Sequence, residues 1–130
     1  MKKFFISGTL AFLFFTTPAS SFALTGFQNY TNYNLYANHY NNATAKHAKE
    51  TNNQYISNIV TKFINTSKAT FWASDTNSKK ISKTYDQKLN NMTNIYFTSK
   101  KNKGSIIRMG MENAEGVSYV AQVSGRVNFR

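Results

Sequence analysis

The segment SYVAQVSGRVNFR, residues Ser118–Arg130, shows the alternation that decides the fold class. From Val117 to Phe129 the odd positions are apolar or small, whereas the even positions are polar except for Val120. Side chains of a strand point alternately to its two faces, so this pattern predicts a strand with one buried and one solvent-facing side. We expect the buried side to contribute five residues to the core: Val117, Tyr119, Val123, Val127 and Phe129.

Further strand signals precede this segment, separated by turns rich in Asn, Asp, Ser and Gly. Strand-forming residues are concentrated in Tyr55–Ile64, Thr70–Trp72, Ile95–Phe97 and Ile107–Met111. Residues 112–116 form a short link, so the last two strands are predicted to pair as a hairpin. The spacing is typical of an antiparallel sandwich or a small barrel. We predict an all-β fold, a small antiparallel β-sandwich of about six to seven strands.

The segment before these strands is rich in Asn and Tyr. We interpret residues 24–52 as an N-terminal arm that contains a candidate first strand near residues 33–38, and residues 53–130 as the sandwich core. Four tyrosines recur every three or four residues in the arm: Tyr30, Tyr33, Tyr36 and Tyr40. If they are exposed, they would suit stacking on sugars or bases, or a membrane interface. If they are docked, they pack on the core, where we also expect Trp72 to lie between the sheets.

The first 23 residues have the pattern of a secretory signal peptide. Lys2 and Lys3 precede the apolar run Phe4–Phe15, and Pro18 and small residues follow before Ala23. The alternative, an uncleaved membrane anchor, needs about 20 apolar residues, and this run is shorter. The sequence therefore predicts a secreted protein that is cleaved after Ala23 and whose remaining residues form one domain.

The composition is strongly basic and lacks cysteine, with 16 Lys and Arg against 5 Asp and Glu. Without cysteine there is no disulfide, no thiol nucleophile and no zinc ribbon, and a bacterial origin is favoured for an exported chain. The excess of positive charge favours anionic partners such as envelope polymers or a membrane surface, with non-specific nucleic acid as a further candidate. The competing interpretation is that the charge only keeps the protein soluble.

Two groups of lysines are the candidate anion-binding residues. The first comprises Lys79, Lys80 and Lys83, and the second comprises Lys100, Lys101 and Lys103. Both groups lie in or beside predicted turns, so a sandwich fold would allow them to gather at one end. The alternative is that they are solvated charges that protect strand edges from pairing with other chains.

Candidate catalytic residues are few, and we predict that the protein is not an enzyme and uses no metal or cofactor. His39 and His47 have one nearby acid, Glu50, whereas metal sites use three or four ligands. A pair of carboxylates such as Asp75 and Asp86 would suit glycoside hydrolysis only if they converged on one bond. No Gly-x-Ser-x-Gly motif and no glycine-rich phosphate loop is present.

Two segments, TFWASDTNSKKISKTYDQ (residues 70–87) and KGSIIRMGMENAEGVSYVAQVSG (residues 103–125), carry a resemblance. The shared pattern comprises Phe71-Trp72, Ser82-Lys83-Thr84, Glu112-Asn113 and Val123–Gly125. With these motifs the chain resembles small exported cysteine-free β-sandwich proteins of Gram-positive bacteria, which share an overall plan with small β-sandwich bacteriocins. It departs from them after Gly125, where Arg126 stands in place of a tryptophan. The resemblance implies the fold and the export, and it assigns no functional residue.

These observations lead to two functional hypotheses. The first is a secreted basic protein that binds anionic cell-envelope components as a bacteriocin-like antimicrobial. The second is a non-toxic surface or matrix adhesion protein that binds wall polymer, glycan or extracellular DNA. In both, binding driven by charge would weaken steeply as the salt concentration rises.

Overall fold

The computed structural model describes residues 26–130, so the predicted signal peptide, residues 1–23, lies outside the described residues. The described chain is all-β, with a single short 3₁₀ turn at Ala37–His39. Its nine strands are β1 (Phe27–Leu35), β2 (Asn42–Ala43), β3 (His47–Ala48), β4 (Tyr55–Ile64), β5 (Ala69–Ser74), β6 (Tyr85–Gln87), β7 (Met92–Tyr96), β8 (Ile106–Asn113) and β9 (Ala121–Asn128).

The strands form two antiparallel sheets in a sandwich-like arrangement. Sheet I has the order β1-β9-β4-β7, and sheet II has the order β2-β8-β5-β6, with β3 also paired to β8. An isolated bridge between Ser82 and Phe97 joins the segment before β6 to the segment after β7. The number of strands exceeds the predicted six to seven because β2, β3 and β6 are only two or three residues long, which is too short for a sequence pattern to reveal.

The core lies between the sheets and uses one face of each long strand. In β5, Phe71 and Ala73 are fully buried in it, opposite Met111 and Met109 of β8. Trp72 has the opposite orientation because neighbouring side chains alternate between the faces of a strand. The prediction that Trp72 lies between the sheets is therefore wrong, and its indole lies on the outer face of sheet II.

The predicted hairpin of the last two strands is also wrong, although both strands exist. β8 belongs to sheet II and β9 to sheet I, so residues 114–120 cross from one sheet to the other. Facing sheets lie about 10 Å apart, and a chain that spans this gap cannot continue the strand. As a result Val117 is only half-buried and Tyr119 is 50% exposed.

The second half of the predicted strand Val117–Phe129 agrees with the structure. Val123, Val127 and Phe129 are all buried in the core. Gly125 lies on the same face, and a side chain there would collide with the hydroxyl group of Tyr30. The alternation of the quoted segment therefore indicates the correct buried face from Ala121 onwards.

The Asn- and Tyr-rich segment contains a longer first strand than the candidate at residues 33–38. β1 covers Phe27–Leu35 and pairs with β9 along its whole length. The register shifts between Tyr30 and Tyr33, where Asn32 has φ of 52°. Asn tolerates this left-handed conformation better than most residues, which accounts for a register shift at this position of the strand.

Candidate anion-binding surface

The first lysine group lies on a tight turn that follows β5. The Asp75 carboxylate oxygen Oδ1 accepts hydrogen bonds from the backbone N–H groups of Asn77 and Lys79, both at 2.9 Å. This fixes the turn and leaves Lys79, Lys80 and Lys83 exposed. Asp75 is thus engaged by the backbone of the turn.

The second lysine group lies on the loop between β7 and β8, which is fixed mainly through its backbone. The N–H of Lys101 donates to Gln54 Oε1, and the N–H of Lys103 donates to Asn52 Oδ1, both at 2.8 Å. Lys100 and Lys103 are exposed, and Lys101 is half-buried. Polar partners in the loop before β4 therefore position the backbone of Lys101 and Lys103 without neutralising the charges of their side chains.

The two lysine groups lie at the same end of the molecule. The carbonyl of Ile81, the residue after Lys80, accepts hydrogen bonds from the N–H and the hydroxyl of Thr98 at 2.8 and 3.1 Å. Thr98 begins the segment that leads to Lys100. The turn and the loop therefore adjoin one another, at the end where β5 finishes and β8 begins.

We call this half of the molecule the basic end. It contains eleven of the fourteen basic residues in the described part of the chain: Lys46, Lys49, Lys79, Lys80, Lys83, Lys100, Lys101, Lys103, Arg108, Arg126 and Arg130. It contains two acids, Glu50 and Asp75. The opposite half has three basic and three acidic residues: Lys62, Lys68, Lys88, Asp86, Glu112 and Glu115. The excess charge of the described chain is therefore confined to the basic end.

One lysine of the basic end is buried and has a structural role. Lys49 is 2% exposed, and its ammonium group donates to the backbone carbonyls of Thr51, Asn53 and Arg130. The ammonium also lies 5.2 Å from the centre of the Phe97 ring. Burial lowers the pKa of Lys49 because the charged form loses its hydration. Lys49 therefore joins the loops of the basic end rather than facing a ligand.

A cleft on the outer face of sheet II adjoins the basic end. Its volume is about 240 Å³, and it is lined by Asn41, Asn42, Ala43, Trp72, Ser74, Ser78, Arg108 and Gly110. The ammonium group of Lys80 lies 4.3 Å from the centre of the Trp72 ring. Three of the lining residues, Trp72, Ser74 and Arg108, are not among the site residues predicted from the sequence. The position of the first two could have been found from strand alternation, because Trp72 and Ser74 must face the side of β5 opposite to the apolar Phe71 and Ala73.

The four tyrosines of the first segment do not form a single site. Tyr30 is buried, and burial raises the pKa of its hydroxyl far above the ordinary value, with the hydrogen bond to Asn58 opposing part of the rise. Tyr33 packs edge-to-face on Tyr30 with 5.8 Å between ring centres. Tyr36 and Tyr40 are 40% and 70% exposed and line a groove with Val120 at the end opposite the basic end.

The candidate catalytic residues are not brought together. Asp86 is the cross-strand partner of Thr70, near the start of β5. Asp75 lies five residues after Thr70, just beyond the end of β5, so the two acids are roughly 16 Å apart along the sheet. The His39 Nδ1–H donates to the Asn113 carbonyl at 2.9 Å, whereas His47 stacks on Phe129 at the other end of β8. Within residues 26–130 no group of three or more His, Cys, Asp or Glu could hold a metal ion. No helix in this range has the length and apolar character needed to cross a membrane.

Comparison with known proteins gives no relative from which a function could be transferred. No family model matches the chain, and no curated protein or solved structure does so either.

Proposed function

We propose that this is a secreted, non-enzymatic protein that binds anionic cell-envelope components through its basic end and acts as a bacteriocin-like antimicrobial. The observation that carries the proposal is the meeting of the two lysine groups at one end through the contacts between Thr98 and Ile81. Charge that served only solubility would have no reason to be confined to one half of the molecule.

The distribution of charge gives the binding an orientation. At about 0.1 M salt the Debye length is about 10 Å, so charges on adjacent loops act together while the far half contributes little. Five of the six predicted lysines are exposed. Among the described residues, none of the six forms an ion pair with a carboxylate, whereas Lys68 in the opposite half is paired with Asp86. An anionic surface would therefore meet the lysines of the basic end first.

The second candidate function is a non-toxic surface or matrix adhesion protein that binds wall polymer, glycan or extracellular DNA. The groove between Tyr36 and Tyr40 favours it, because exposed tyrosine rings suit the apolar faces of sugars. Asn38 and Asn41, which also line the groove, add side-chain amides that can donate and accept hydrogen bonds. Any binding of nucleic acid by the lysines would be non-specific, since such contacts reach only the phosphates.

Co-sedimentation tests the proposal. Purified protein is incubated with intact Gram-positive cells and with anionic vesicles at low and high salt, and surviving cells are counted in parallel. We expect binding at low salt that falls steeply at high salt, together with loss of viability. Salt-sensitive binding without killing would support the adhesion protein instead, and absence of binding would contradict both functions.

A further inference from the structure

The cleft on sheet II is flanked by two cations in fixed register. Ser74 of β5 pairs with Arg108 of β8 on one side and forms a bridge with Lys80 on the other. Directly paired residues project to the same face of a sheet, so all three side chains stand on the outer face. The strands are about 4.8 Å apart, which places the backbones of Lys80 and Arg108 roughly 10 Å from each other, across Ser74.

Trp72 forms the floor of the cleft, and both faces of its ring are occupied. The indole lies on Gly110, where an added Cβ atom would come within 2.2 Å of the ring nitrogen. The Lys80 ammonium covers the ring at 4.3 Å. With only 2% of Trp72 exposed, the ring offers no free face on which a nucleic acid base could stack.

Neither cation of the cleft has a carboxylate partner among the described residues. The Arg108 Nε–H donates to the Thr44 carbonyl at 3.0 Å, which orients the guanidinium and leaves four of its five N–H groups for other acceptors. Asp75, the residue after Ser74, directs Oδ1 into its own turn. Ser74 and Ser78, which each carry a hydroxyl group, also line the cleft.

We propose that this cleft binds one phosphate group of a polyol-phosphate or sugar-phosphate polymer, an inference that rests on the proposed function and specifies its ligand class. A guanidinium, an ammonium and two hydroxyls offer donors from several directions, which suits a tetrahedral phosphate better than a planar carboxylate. A volume of about 240 Å³ equals that of about eight water molecules, so a phosphate fits together with an attached polyol or sugar unit. The amide side chain of Asn41 lies beside this space.

Trp72 allows a direct test because it is the only tryptophan in the sequence. Its emission is followed during titration of the secreted protein with glycerol phosphate and with poly(glycerol phosphate). We expect a saturable change in emission as the phosphate draws the Lys80 ammonium away from the indole. Arg108→Gln should weaken binding about tenfold, because a hydrogen bond to a charged group is lost.

Lys100→Gln is the matched control, since it removes one positive charge from the basic end outside the cleft. It should weaken binding only about twofold, as expected for an exposed charge. Thermal unfolding is measured for each variant. If Arg108→Gln does not fold, Lys80→Gln replaces it, because Lys80 is exposed and contributes no core contact.

Four results would overturn the cleft as the site. Emission that does not change while poly(glycerol phosphate) still binds by sedimentation would contradict the cleft and leave the proposed function intact. Equal weakening by Arg108→Gln and Lys100→Gln would show that only overall charge matters. Tighter binding of oligothymidylate than of poly(glycerol phosphate) would assign the surface to nucleic acid. Absence of sedimentation with any anionic polymer would contradict the proposed function as well.

Discussion

At the scale of single residues, the two sheets are joined by a buried chain of hydrogen bonds. The Tyr30 hydroxyl donates to Asn58 Oδ1 at 2.9 Å, and Asn58 Nδ2 donates to Gln87 Oε1 at 2.8 Å. Gln87 Nε2 donates in turn to the carbonyls of Asn58 and Asn91. Gly125 leaves room for the Tyr30 hydroxyl, which an added Cβ atom would approach to 2.4 Å. Buried polar groups are stabilising only when such a network is complete.

We therefore predict that Tyr30→Phe destabilises the protein. The change removes the donor to Asn58 and leaves a buried amide oxygen unpaired, which costs about 1–3 kcal/mol. Urea denaturation measures the change in the free energy of unfolding. Tyr40→Phe is the control, because Tyr40 is highly exposed and its loss of a hydroxyl should change stability by less than about 0.5 kcal/mol. Equal effects of the two changes would contradict the role of the network.

Lys49 has a comparable role in the loops of the basic end, and its replacement gives a second prediction. Lys49→Met keeps an apolar stem but leaves the carbonyls of Thr51, Asn53 and Arg130 without their donor. Hydrogen bonds to a charged group contribute about 1.5–3 kcal/mol each, and the cost of burying the ammonium offsets part of their sum, so we expect a net loss of about 3 kcal/mol. The measurement is urea denaturation at neutral pH.

The control for this prediction is Lys46→Met, an exposed lysine three residues earlier with the same change of charge and size. We expect its effect to stay within about 0.5 kcal/mol. A stable Lys49→Met protein would mean that the carbonyls find water as an alternative partner, and that the loops of the basic end do not depend on the ammonium.

At the scale of elements, β3 carries a titratable contact with the end of the chain. The His47 ring stacks on Phe129 with 4.4 Å between ring centres. Burial lowers the pKa of His47, and the charge of Glu50 offsets part of the effect. The unfolded chain, with a His pKa of about 6.5, therefore binds the proton more tightly than the folded one.

We predict that stability falls as the pH drops through about 6.5 and that this loss ends below the pKa of His47 in the folded protein. The measurement is the urea midpoint at pH 8 and at pH 5 for the original protein and for His47→Phe. The variant should lose less stability between the two pH values, since phenylalanine stacks without titrating. His39 is present in both proteins, so the difference isolates His47. An identical pH dependence would contradict the prediction.

The elements also show which parts of the fold a sequence pattern can predict. Alternation in β8 and β9 reveals a buried face because it reflects burial, which is local to each strand. It does not reveal the partner strand, and for this reason the predicted hairpin of β8 and β9, which are consecutive in sequence, is wrong. The two-residue strands β2 and β3 have no period at all, so only their tertiary pairing with β8 defines them.

At the scale of the whole molecule, the sequence allows the two lysine groups to lie at one end but does not require it. Their position in turns is predicted by composition, since Asp75–Ser78, for example, consists of residues that favour turns. Their proximity depends on Ser82 bridging to Phe97, a long-range pairing without a sequence signal. The contribution of Arg108 was hidden for the same reason, because it becomes part of the site only through the register of β8 against β5.

The division of charge between the two halves leads to the last prediction, which separates the effect of where the positive charges lie from the effect of how many there are. Replacing Lys100, Lys101 and Lys103 by Gln removes three charges from the basic end, and replacing Lys62, Lys68 and Lys88 by Gln removes three from the other half. The two triple variants have the same net charge. We expect the first to lose most of its binding to anionic vesicles at about 0.1 M salt and to show a shallower dependence of binding on salt, because fewer counterions are released.

The second triple variant should bind nearly as the original protein does, since these lysines lie in the half where basic and acidic residues balance. Co-sedimentation over a series of salt concentrations gives both the affinity and its slope, and thermal unfolding confirms that both variants fold. If the two variants lose binding equally, net charge alone governs association. The arrangement of the loops would then have no part in it, and the confinement of charge to one end would carry no functional meaning.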